Sequence, residues 1–121
     1  MKIYSSYFAK IKDLPSSILP ISISLYTPKG VHCYQYDKLR PTRFVLSSYK
    51  DDGDQEKYIE RFNNTTLLKL KQQEVYDELA DIGNRELIGA TDICLLCYEK
   101  PDDFCHRHLI AKWFAKAGID V

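Results

Sequence analysis

Thr91-Asp92-Ile93-Cys94-Leu95-Leu96-Cys97-Tyr98 (TDICLLCY, residues 91–98) decides the fold. Its centre, residues 93–97, is an unbroken apolar run. A strand that is apolar at every position must be covered on both faces, which is the situation of a central strand in a parallel sheet. Beyond it come Pro101 and then Asp102, a good N-cap for a last helix. The apolar stripe of that helix is Leu109, Ile110, Trp113, Phe114 and Ala117, and Gly118 ends it.

Working back toward the N-terminus, residues 2–7 (KIYSSY) are rich in β-formers and predict a first strand. Residues 21–26 (ISISLY) alternate apolar and small polar side chains and predict a second. Residues 14–20, with Pro15 and Pro20, read as the connection between them. From Thr27 to Gly53 no period is sustained, so the segment is read either as a lid or as a plain irregular connection, with a short strand near 43–46. Helical patterning starts near Asp54 with Tyr58, Ile59 and Phe62, and Asn63 or Asn64 offers a cap or a kink. Leu67, Leu68, Val75, Tyr76, Leu79 and Ile82 continue it, with Gly83 near the stop. Strands separated by helices predict an α/β class, a mostly parallel sheet flanked by helices, as a single domain over residues 1–121.

Composition narrows the function. Seventeen basic and 17 acidic residues cancel, which argues against bulk nucleic acid as the partner. Residues 1–50 nevertheless carry eight Lys/Arg against two Asp/Glu, and residues 51–86 five against ten. These are either two solvated faces or a sign that Lys38, Arg40, Arg43 and Lys50 border a site for an anion. Nine tyrosines suit a pocket or partner surface, and equally suit strands. No apolar run approaches the length of a membrane span and no signal peptide is read, so a cytoplasmic protein with free thiols at Cys33, Cys94, Cys97 and Cys105 is expected.

The candidate site is residues 97–108, CYEKPDDFCHRH, where the buried strand ends and the last helix begins. Ligands of open parallel sheets bind outside the carboxyl ends of the strands, and the first turn of the next helix offers unpaired N–H groups to an anion. Arg107 adds a charged donor there. His106 lies three and four residues before Leu109 and Ile110 and should face the sheet edge, whereas His108 aligns with Lys112 and Ala115 and should face solvent. Glu99 can act as a base or nucleophile or touch ribose hydroxyls, or else pair with Lys100 or Arg107. Cys97 and Cys105 are candidate reactive thiols near Arg and His. No glycine follows either cysteine closely, which disfavours a cysteine-dependent phosphatase loop. Cys94 and Cys97 are three apart in a strand and point to opposite faces, so they cannot grip one ion. Zinc held by Cys97, Cys105 and His106 with His32 or Cys33 is not expected, nor is any cofactor.

At this segment the chain resembles domain-of-unknown-function family 488. The resemblance rests on Cys97-Tyr98-Glu99-Lys100-Pro101 with Phe104-Cys105-His106-Arg107, and on the weaker pieces 3–8 (IYSSYF) and 58–63 (YIERFN). It implies a Rossmann-like α/β fold and marks Cys97, Glu99, Cys105, His106 and Arg107 as the matching positions. It implies no particular reaction.

The expected function is binding, and in its catalytic form hydrolysis, of a nucleotide or nucleic-acid-derived anion. Cys97, Glu99 and His106 are the catalytic candidates, and Cys105, Arg107, Ser5, Tyr7, Tyr36 and Arg40 the ligand contacts. The alternatives are a non-catalytic binder that sequesters a nucleotide signal or inhibits a protein, and a structural interaction domain. Arg107→Ala and Glu99→Gln are expected to abolish binding or activity, since a lost charge-assisted hydrogen bond costs on the order of 1.5–3 kcal/mol, and His108→Ala to be silent. Paired melting and binding curves on the three variants check this.

Overall fold

The computed structural model describes residues 1–87, 89, 91–98 and 104–121. Four parallel strands, β1 (Ile3–Tyr7), β2 (Ile18–Ser22), β3 (Tyr34–Gln35) and β4 (Asp92–Cys97), form one sheet in the order β1-β4-β2-β3. The helices are α1 (Arg43–Asp52), α2 (Gln55–Thr65), α3 (Gln72–Glu86) and α4 (His106–Ala115). This is the α/β architecture with a parallel sheet that the apolar run predicts, and β4 is interior, paired with β1 from Ile3↔Ile93 to Tyr7↔Cys97 and with β2 from Ile18↔Asp92 to Ser22↔Leu96.

The order of the strands dictates how the sheet is covered. The chain passes from β1 over the place of β4 to β2 and on to β3, then returns to β4. Crossovers of one hand that travel in opposite directions must lie on opposite faces of the sheet. The return path, α1 to α3, covers one face together with α4, and there Ile93 and Leu95 join Ile3, Ile21, Phe62, Leu79, Ile110 and Phe114 in the main core. The outward paths cover the other face, where Cys94 and Leu96 pack with Phe8, from a 3-10 turn at Phe8–Asp13, and with Ile11, Leu14, Val31 and Cys33. Cys94 and Cys97 therefore part to opposite faces, as the period of a strand requires.

Three expectations need correction. β2 begins at Ile18 and ends at Ser22, three residues ahead of the expected start at Ile21, and takes in Pro20. The ladder explains how. The Ile23 N–H donates to the Leu96 carbonyl while the Ser22 carbonyl accepts from Tyr36, so odd residues face β4 and even ones face β3. β3 pairs only with Ile21 and Ser22, so the nitrogen of Pro20 points to a side with no strand opposite. Second, residues 43–46 are helical and open α1. The Thr42 side chain accepts from the Val45 N–H, Val45 is buried, and Gly53 closes the helix at φ 61°. A cap at each end outweighs the strand propensity of Phe44 and Val45. Third, α2 runs through Asn63 and Asn64, and the break comes at a 3-10 turn, Leu67–Lys69, so that Leu68 is exposed. α3 likewise passes through Gly83 and stops only at Glu86.

Gly83 is the position this last point makes testable. A Cβ there would sit 3.5 Å from Ile93 Cγ2, an ordinary contact, and the backbone is helical. Gly83→Ala should stabilise the protein by roughly 0.5–1 kcal/mol, whereas Gly53→Ala, at φ 61°, should destabilise it. Urea unfolding of the two variants beside the parent chain checks both signs.

Candidate functional site

Cys105 is the N-cap of α4, and His106 and Arg107 form its first turn, all three buried. The cap thus falls three residues after the expected one, Asp102, which lies outside the described residues together with Glu99. His106 faces the sheet as its phase requires. Its Nε2 lies 2.7 Å from the Ile23 carbonyl just past β2, and its Nδ1 lies 3.6 Å from Cys105 Sγ. A carbonyl can only accept, so Nε2 carries the proton and the unprotonated Nδ1 faces the Cys105 sulfur. Burial pushes the imidazole down to about 4, with the Arg107 charge working in the same direction against the Ile23 bond, so it is neutral at neutral pH.

Arg107 reaches the other way. One guanidinium nitrogen donates to the Ser6 carbonyl on β1 at 2.9 Å and to Cys97 Sγ at 3.1 Å, and the group lies 6.0 Å from the Tyr7 ring. The Cys97 and Cys105 sulfurs are paired, which corrects the expectation of four free thiols; Cys33 and Cys94 are the free ones. Burial raises both of these, Cys94 to about 11.

A cavity of about 440 Å³ opens above this group. Its walls come from Ser24, Leu25 and Tyr26 after β2, Tyr98 after β4, Cys105 and His106 of α4, Arg43, Leu46, Ser47 and Lys50 of α1, and the rings of Tyr49, Tyr58 and Phe104. It lies where adjacent strands β2 and β4 send their chains to opposite faces, the switch point at which open α/β sheets hold ligands. The three rings pack edge-on or tilted at 5.0–5.4 Å and form an aromatic wall. No carboxylate is among the described lining residues, and no described ion pair engages Arg43 or Lys50.

Of the expected residues, then, Cys105 and His106 line the cavity, while Cys97, Arg107 and Tyr7 lie behind or beside it. Ser5 is exposed on β1 and is not brought in. Tyr36 fills the core and its hydroxyl donates to Glu78 Oε1 at 3.0 Å; burial first, and Glu78 second, push that phenol well above its usual range. Arg40 pairs with Asp37 and borders a second depression with Lys38 and Thr65. His108 is a correction: it is half-buried, with Nε2 buried and unpartnered among the described residues, because the first turn of α4 is enclosed on most sides. It is no silent control. The Arg107 contacts likewise mean that Arg107→Ala lowers the melting temperature as well as any affinity. Reading the sequence alone missed Ser24, Tyr26, Ser47, Tyr49 and Tyr58, while Phe104 lies inside the segment it singled out; the small polar residues of 21–26 and the tyrosine excess were the available signals. Among the described residues no group of three metal-ligating side chains gathers, and no helix is long and apolar enough to cross a membrane.

Fold and site together define a parallel α/β domain with a sulfur–imidazole floor under a cation-rimmed aromatic cavity at the carboxyl edge of its sheet. Residues 7–118 match the family described as the active DUF488-N3 subclade, DUF488-N3a, and the chain belongs to that family. No curated protein and no solved structure matches it.

His106 makes acid stability a readout of this geometry. Its folded-state value lies below the unfolded one near 6.5, so stability is full above about pH 6.5 and falls as the unfolded chain takes up the proton, levelling near pH 4. That loss is on the order of 3 kcal/mol. His106→Gln, whose amide can still donate to Ile23, should flatten this limb when urea unfolding is compared at pH 7 and pH 4.5.

Proposed function

We propose that the chain binds a nucleotide or nucleic-acid-derived small anion in the cavity between β2 and β4. The observation that carries the reading is the composition of the cavity wall: Arg43 and Lys50, free of described ion pairs, face aromatic rings with no described carboxylate between them. Phosphate suits the two cations, and a base suits a place beside the Tyr49, Tyr58 and Phe104 wall or against Tyr26 and Tyr98, the exposed rings at the mouth. A volume of about 440 Å³ is that of a small-molecule site rather than a groove for a polymer. Hydrolysis is the catalytic form of the same reading, with Glu99, two residues past Cys97 in the chain, as the group that activates water. The family's description as an active subclade supports an enzyme.

Thermal stabilisation by a panel of nucleotides and nucleosides tests the binding, and product analysis of the same mixtures tests turnover. Phosphorylated ligands should raise the melting temperature more than nucleosides do, and less so as salt is added, because exposed cations are screened. Arg43→Ala combined with Lys50→Ala should weaken that binding about tenfold or more while leaving the unliganded melting temperature near that of the parent. A panel with no stabilising ligand would sink the proposal. Stabilisation without turnover leaves a sequestering domain.

A further inference from the structure

Cys105 lines the cavity, while Cys97 is fully buried behind it and paired with it. Each sulfur has its own polar neighbour, and each neighbour is anchored elsewhere. Arg107, 3.1 Å from Cys97 Sγ, is held by Ser6; His106, 3.6 Å from Cys105 Sγ, is held by Ile23. We propose that Cys97 and Cys105 form a redox-active dithiol, in which Cys105 takes the oxidising equivalent from a small hydroperoxide entering through the cavity and Cys97 resolves it as an intramolecular disulfide.

The geometry divides the work. In the reduced pair the Arg107 cation, 3.1 Å from Cys97 Sγ, faces the negative charge left when a thiol gives up its proton. The neutral His106 does not take that proton; its Nδ1 lone pair orients the sulfur of Cys105 toward the cavity. Cys105 is itself 3% exposed, so the oxidant must be small enough to come in by the cavity, which favours a hydroperoxide over a bulky disulfide. The Cys105 thiolate attacks the terminal peroxide oxygen, the O–O bond breaks, and the alkoxide (or hydroxide) leaves with the thiol proton as an alcohol or water. Cys97 then attacks the sulfenic sulfur of Cys105, the S–O bond breaks, and hydroxide takes the second thiol proton as water. Two thiols and one hydroperoxide thus give one disulfide, one alcohol and one water: the sulfurs lose two electrons and the peroxide gains them. This does not depend on what else the cavity binds.

Cys33 and Cys94 serve as internal references, since burial raises both above the usual thiol range. The reduced chain is treated with less than one equivalent of hydrogen peroxide, quenched by alkylation and mapped by peptide mass. The Cys97–Cys105 cross-linked peptide should form at least about tenfold faster than any product at Cys33. Cys97→Ser should trap a sulfenic acid on Cys105, captured by a cyclic 1,3-dione, and Cys105→Ser should trap none on Cys97. Oxidation of Cys33 as fast as of Cys105, or disulfides between chains in place of the 97–105 link, would overturn the proposal. The map of the unmodified chain decides it even if a variant fails to fold.

Discussion

β4 must find hydrogen-bond partners on both edges and apolar cover on both faces, and the rest of the molecule is arranged to provide them. Its residues from Ile93 to Cys97 are essentially free of solvent. Burying each of Ile93, Leu95 and Leu96 is worth roughly 1.5–3 kcal/mol, but only if the backbone between them is fully paired. β1 and β2 supply that pairing, and since both run parallel to β4 their connections must cross over the sheet. The two layers of cover, a thin one of 3-10 turn and loop and a thick one of four helices, follow from the directions of those crossings.

The same constraint shapes the start of α4. A helix that begins above the end of a buried strand has its first N–H groups and side chains facing strand ends rather than water. Consecutive residues answer this in opposite directions: His106 bonds the carbonyl of Ile23 beyond β2, and Arg107 bonds the carbonyl of Ser6 on β1. Together they bind the two neighbours of β4 across its C-terminal residue, Cys97. Two buried polar side chains in the first turn of this helix would be costly as isolated groups, and as links between strands they satisfy backbone acceptors where the ladder ends.

How much of this was legible in the sequence follows from which signals are local. The apolar run 93–97 carries its own period and length, so β4 and its central place could be read directly, as could the inward face of His106. The ends of β2 could not, because Pro20 reads as a breaker unless the strand beside it is known to be too short to meet its nitrogen. α1 was hidden for a similar reason. Phe44 and Val45 favour strands, and what overrides them is a Thr42 cap together with packing of Val45 and Leu46 against residues far away in the chain. His108 was misplaced because helical phase gives a direction but not how much of the circumference is covered.

Missing α1 hid the helix that carries Arg43 and Lys50, two of the cations the charge distribution singled out, and with it Leu46, Ser47 and Tyr49 of the cavity wall. The cavity is assembled from a rim contributed largely by α1 and a floor contributed by α4, segments about sixty residues apart in the chain. The two parts obey different electrostatics. Arg43 and Lys50 are exposed, so any attraction they exert on an anion is screened within about a Debye length. Cys97, Cys105, His106 and Arg107 are buried, and there one charge alters the protonation of its neighbours with little screening. Of the charged groups in segment 97–108, Arg107 is turned inward against Cys97 Sγ and the Ser6 carbonyl, whereas Arg43 and Lys50 of α1 stand exposed at the cavity.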